Sequence, residues 1–170
     1  MSNNDIFTAT ETVISPDAML ANWQGNRRLT RRVIEAFPED KLFNYSLGGM
    51  RPFSQLVLEM TDMASPGING IVSGKWLSID QMDHTKGAPG PATKAAMLER
   101  WDEITEEIDR LWQEIPTGRF AEIDLAFGAY EGPIYGTLLY FIENEIHHRA
   151  QGYVYLRTLG IEPPAFYNRD

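Results

Sequence analysis

Apolar residues recur at helical spacing in four stretches of the chain, separated by segments where the pattern breaks. In the first, Met19, Leu20, Trp23, Thr30, Val33, Ile34 and Phe37 form a stripe interrupted by Asn26 and Arg27. Ser15-Pro16-Asp17 supplies a capping hydroxyl, a proline at the first helical position and an acid in the first turn. A helix is therefore predicted from about Pro16 to Phe37, ended by Pro38. A second stripe begins at Arg51-Pro52 and runs through Phe53, Leu56, Val57, Met60 and Ala64, with Glu59 at its edge. Ser65-Pro66-Gly67 either ends this helix or kinks it before Ile68 to Val72 continue. Thr93 opens the third, in which Met97, Leu98, Trp101, Ile104, Ile108, Leu111, Trp112 and Ile115 repeat at intervals of three and four, until Pro116-Thr117-Gly118 stops it. The last runs from Pro133 to Gly160, with Ile134, Tyr135, Leu138, Phe141, Ile142, Tyr153, Leu156 and Leu159 on one stripe.

The segments between are predicted to be connections. Residues 1–15 read as a polar, flexible tail, and Pro38 to Arg51 as a linker. Ser73 to Pro91 reads as a long loop, suited to rim or cover a pocket, with His84 as an exposed loop residue. Between Phe120 and Gly132, Glu122 to Phe127 alternates like a short strand; with no partner strand in the pattern, the segment is predicted to be extended connection. Four long amphipathic helices without paired strands define an all-α fold, a helical bundle forming one domain over residues 1–170.

The densest polar cluster lies inside the last stripe. Glu145 and Arg149 fall on it, four residues apart, the spacing of a helical ion pair. Asn144 and His148 share one border, while Glu143 and His147 point to the solvated side. One chemistry for this cluster is a divalent ion, zinc, nickel, manganese or iron, held at the stripe's edge by Glu59, Asn144 and His148. Glu145-Ile146-His147-His148 contains the Glu-x-x-His spacing of di-iron bundles, but no second copy exists, and there is no His-Glu-x-x-His. The other reading is a buried polar network, with Glu145 and Arg149 paired and Asn144 and His148 bonded to neighbouring helices. Nucleophile-elbow and phosphate-loop motifs are absent.

Composition narrows the field. The chain has 170 residues and no cysteine, which removes disulfides, thiolate metal sites and cysteine nucleophiles. A formal charge of -9 opposes nucleic-acid binding, so the basic group Arg27, Arg28, Arg31 and Arg32 reads as a solvated helix face. The acidic face of the third helix reads the same way. No apolar run is long enough for a membrane span and no signal pattern opens the chain, so a cytoplasmic protein is expected.

Glu145-Ile146-His147-His148-Arg149-Ala150-Gln151, continuing through Arg157 and on to Leu159-Gly160-Ile161-Glu162-Pro163-Pro164, resembles the C-terminal signature of the DinB family, the YfiT-like helical bundle proteins. Met50-Arg51-Pro52-Phe53-Ser54-Gln55-Leu56 is similar to that family's start of the second helix. The resemblance implies an up-down-down-up four-helix bundle, a homodimer, and a metal held by three histidines, one on the second helix and two on the last. Those positions fall on Glu59, Asn144 and His148, of which only His148 keeps the ligand type. It further implies metal-dependent transfer of a low-molecular-weight thiol, or hydrolysis, with the ion activating a thiol or water. Two functions stand side by side: a metalloenzyme with a divergent ligand set, and a non-catalytic bundle that has lost its metal and acts in binding or assembly.

Overall fold

A computed structural model describes residues 13–170; the expectation for the first dozen residues lies outside the described residues. Four long helices build the molecule: α1 (Pro16–Ala36), α3 (Phe53–Ser73), α5 (Lys94–Trp112) and α6 (Ile134–Thr158). Their starts follow the chemistry of their first turns. Ser15 Oγ accepts the Ala18 N–H at 3.1 Å, and Thr93 Oγ1 accepts that of Ala96 at 3.2 Å. Pro16, Pro52 and Pro133 stand at or just before the first residues of three of them.

Pro66 does not end its helix. α3 runs through it, because Met63, Ala64, Ile68 and Ile71 on either side are buried in one cluster. An interior proline costs about 3 kcal/mol, which burial of several such side chains, about 1.5–3 kcal/mol for each large one, offsets.

Three predicted connections contain structure. The linker after α1 holds a short helix, α2 (Glu39–Asn44), which forms because Leu42 is fully buried between the larger helices. The long loop holds a 3₁₀ turn at Ile79–Gln81 and a short helix, α4 (Asp83–Lys86), pinned by buried Met82 and by His84. His84 is therefore not an exposed loop residue: its backbone N–H and Nδ1 lie 2.6 and 2.9 Å from Asp62 Oδ2 on α3. The segment before α6 is an antiparallel hairpin, β1 (Ile123–Ala126) and β2 (Tyr130–Pro133), with Ala126 facing Tyr130 and Ile123 facing Pro133. The turn is closed by the Ala129 N–H donating to the Ala126 carbonyl at 3.1 Å. Both central residues are left-handed, Phe127 at φ 55° and Gly128 at φ 68°, as mirror-image hairpin turns require. Glycine takes this conformation freely; Phe127 is the one non-glycine that does so among the described residues. Its ring is fixed between Trp76 (5.2 Å between centroids) and Phe141 (5.9 Å).

Each of α1 and α3 packs against both α5 and α6. Along α1, Trp23 meets Phe141 and Thr30 meets Glu145, so α6 runs parallel to it. Gln24 meets Asp109 and Arg31 meets Asp102, so α5 runs antiparallel. On α3, Phe53 faces Gly152 and Glu59 faces His148, so α3 opposes α6. The order is up-down-down-up.

The core is two apolar clusters rather than one. Trp23, Ile68, Ile108, Trp112, Leu138 and Phe141 belong to the cluster beside the hairpin, and Val33, Phe37, Phe53, Val57, Trp101 and Tyr155 to the other. Between them α1 and α6 contribute a polar layer of Asn26, Arg27, Thr30, Glu145 and Arg149, all buried. Glu145 accepts a hydrogen bond from Thr30 Oγ1 at 2.6 Å and lies 3.9 Å from both Arg27 and Arg149. Arg27 stacks on Trp101, its guanidinium carbon 3.5 Å from the ring centroid. Burial raises the Glu145 pKa against the pull of Arg27, and lowers that of Arg27 to about 10, so the guanidinium stays charged at neutral pH. Glu145 and Arg149 are thus members of a larger network and not a closed pair.

Of the basic group on α1, Arg28 is exposed as a solvated face would have it and Arg31 and Arg32 are partly so, but Arg27 is not. Arg27 is fully buried because Glu145 and the Trp101 ring compensate its charge. Arg31 pairs with Asp102 at 2.7 Å and with Glu35. Arg28 donates to the Arg169 carbonyl at 3.0 Å and Arg32 to that of Asn168, which holds the C-terminal residues along α1.

Candidate functional site

Because α3 and α6 run antiparallel in contact, Glu59 meets Asn144 and His148 at mid-height. The structure brings together the three residues singled out from the sequence. His148 Nε2 lies 3.0 Å from Glu59 Oε1, and Asn144 Nδ2 donates to the same oxygen at 3.4 Å. His148 and Asn144 are buried, Glu59 largely so. The other ring nitrogen, His148 Nδ1, lies 3.1 Å from Gln151 Oε1. His147 and Glu143 are exposed, as the periodicity predicts.

Three further residues complete the site. Arg51 precedes α3 and reaches back to donate to Glu59 Oε2. Gln151 orients the imidazole from the next turn of α6. Tyr140 stands one turn before Asn144; burial raises its hydroxyl pKa, with Tyr130 and Glu59 pushing the same way. The sequence offered a signal for Gln151, three residues beyond His148 on the same helix side. It offered none for Arg51, read there only as a helix start.

Both oxygens of the Glu59 carboxylate are therefore engaged. The hydrogen bond from His148, and after it that from Arg51, depress its pKa from 4.5 to about 2 against an opposing burial effect. Since the unfolded chain takes up this proton first, the stability contributed by Glu59 is complete above pH 4.5 and disappears as pH falls toward about 2. Replacing Glu59→Gln flattens that acid limb by about 1–2 kcal/mol, allowing for solvent screening at a partly exposed site. Urea unfolding of both proteins across this window measures it; parallel curves would contradict it.

These residues do not fit a transition metal. They offer one imidazole, one carboxylate and an amide, and among the described residues no group of three or more His, Cys, Asp or Glu converges. The Arg51 guanidinium stands where a second cation would compete for Glu59. One feature points the other way: Asn144 Oδ1 is buried without a hydrogen-bond partner.

Beside the site a pocket of about 260 Å³ opens between the hairpin and the first two turns of α6. Phe127, Tyr130, Tyr140 and Phe141 are among the residues lining it, and Gly136 leaves room on the helix side. Tyr140 belongs to both the pocket and the Glu59 cluster. The sequence did not reveal this cavity, because the hairpin that makes one wall was not predicted.

A helical bundle of four long helices in up-down-down-up order, with its polar site between the second and the last, defines the class of protein. The model of the DinB family matches residues 1–170, and the chain belongs to that family. Its fold is similar to that of a DinB-like protein from Bacillus cereus, with a TM-score of 0.70 and 19% identity, over 89% of this chain and 97% of the other. A DinB-like protein from Bacillus subtilis, YjoA, is similar with a TM-score of 0.68 and 15% identity, over 89% and 99%. No curated protein matches the sequence. Among the described residues no helix is long and apolar enough to cross a membrane.

Proposed function

We propose that this DinB-family protein binds a small organic molecule without a resident metal. The ligand would enter the aromatic pocket, and the Arg51–Glu59–His148 cluster would form the polar end of the site. One observation carries this reading: both oxygens of Glu59 are already engaged, one by His148 and one by Arg51. The place where a bundle of this kind would hold a cation is neutralised by the protein's own side chains. Admitting an ion would take Glu59 away from Arg51 and His148 and leave only one imidazole to bind the metal.

The test is calorimetric titration of the purified chain with zinc, nickel, manganese and iron(II) salts, alongside metal analysis of the protein. No stoichiometric binding is expected at micromolar concentration. One ion per chain, lost in His148→Ala, would overturn the reading and restore a metal-dependent thiol transferase or hydrolase, with Asn144 Oδ1 as its third ligand. The double substitution Glu59→His/Asn144→His supplies the missing imidazoles and is expected to gain one zinc per chain.

A further inference from the structure

The hairpin pocket has a chemical bias of its own. Four of the residues lining it are aromatic, Phe127, Tyr130, Tyr140 and Phe141, and the one charged residue of the lining is Glu131. No lysine, arginine or histidine lines it. Aromatic rings attract cations through their quadrupole, and the acidic residue of the lining, Glu131, adds negative charge nearby. The surrounding field has the same sign, since the chain carries -9 overall. Anions meet repulsion here and have no donor cluster to hold them.

A second observation marks the pocket as a shaped site. Phe127, a pocket wall, is the non-glycine residue held at positive φ. A bulky side chain in that region costs on the order of 1–3 kcal/mol and persists where surrounding structure fixes it. Here the fixed element is an aromatic wall packed against Trp76, whose Nε1 donates to Asp124 Oδ2 at 3.1 Å; Asp124 is held in turn by Arg119, which also donates to the Ile71 carbonyl. The volume, about 260 Å³, lies just below the range of about 300–1,000 Å³ for small-molecule sites. It suits a compact ligand.

We infer that the pocket takes a small organic cation, an aryl- or alkyl-ammonium, with its apolar body between the aromatic rings and its ammonium group at Glu131. This rests on the reading of the pocket as a small-molecule site, and it adds the charge class of the ligand.

The experiment compares three probes of one size on the full chain: 2-phenylethylamine, cationic at neutral pH, 2-phenylethanol, neutral, and phenylacetate, anionic. The amine is expected to bind about tenfold more tightly than the alcohol, and phenylacetate most weakly. Glu131→Gln weakens the amine about fivefold and leaves the alcohol unchanged, because an exposed carboxylate acts through charge. Gly136→Leu fills the cavity and removes binding of all three, with the helical circular dichroism unchanged. If the alcohol or phenylacetate binds as tightly as the amine, the cation inference falls while the pocket reading stands. If none of the three binds at millimolar concentration, the small-molecule reading falls and the inference with it.

Discussion

Glu145→Ala lowers the stability of the protein by about 3–5 kcal/mol, the cost of stranding buried charge. Among the described residues, Glu145 is the one buried acid in the layer that also holds Asn26, Arg27, Thr30 and Arg149. Arg27 is held by Thr105 Oγ1 at 3.0 Å and the Trp101 carbonyl at 2.8 Å, and Arg149 by Asn26 Oδ1 at 2.9 Å and Thr30 Oγ1 at 3.1 Å. Those acceptors orient the two guanidiniums but do not neutralise them. Without the carboxylate, two positive charges face each other in a dry layer. At about 2–4 °C per kcal/mol for a chain of this size, the midpoint falls by about 6–20 °C. Calorimetry reads the change, and a loss below about 1 kcal/mol would contradict it. Replacing all three charges together, as Arg27→Met/Glu145→Leu/Arg149→Met, returns the protein to within about 1 kcal/mol of wild type, because no unpaired ion remains. If it does, the layer fixes which helices pair and in what register, and adds little stability of its own.

Gly152→Val costs about 2–3 kcal/mol through overpacking. A Cβ at Gly152 would stand 2.5 Å from the Phe53 ring, which is itself stacked on Phe37 with centroids 4.8 Å apart. Neither ring has free volume to retreat into, since both are buried. Phe53→Leu in the same chain recovers at least half of the loss, and the double-mutant cycle on urea midpoints isolates the coupling. An additive cycle would show that the strain lies elsewhere.

The helices were legible because each carries its own stripe and its own cap; Ser15 and Thr93 act as their positions suggest. The Glu59–Asn144–His148 meeting was legible because two residues share one helix face and the third sits at the edge of the facing stripe. What could not be read depends on partners distant in sequence. Arg27 looks like its neighbours Arg28 and Arg31 until Glu145 arrives beneath it. His84 looks like a loop residue until Asp62 is placed against it. The hairpin was hidden by its turn: Phe127-Gly128 lacks the asparagine or aspartate that usually announces two left-handed residues, and Tyr130-Glu131-Gly132-Pro133 does not alternate as a strand should. With the hairpin went the pocket, and with the pocket the reason to notice Tyr140 and Glu131.

The parallel pairing of α1 with α6 also sets a timetable. Of the four long helices, the first to leave the ribosome has as its neighbour the last, and the polar layer is divided between these two. Until Glu145 emerges, Arg27 on α1 lacks its buried carboxylate partner and is costly to bury. Vectorial synthesis can then pair α3 with α5, but closing the bundle waits for the final helix. Such long-range closure slows folding and leaves two half-built apolar clusters exposed on the nascent chain until α6 docks.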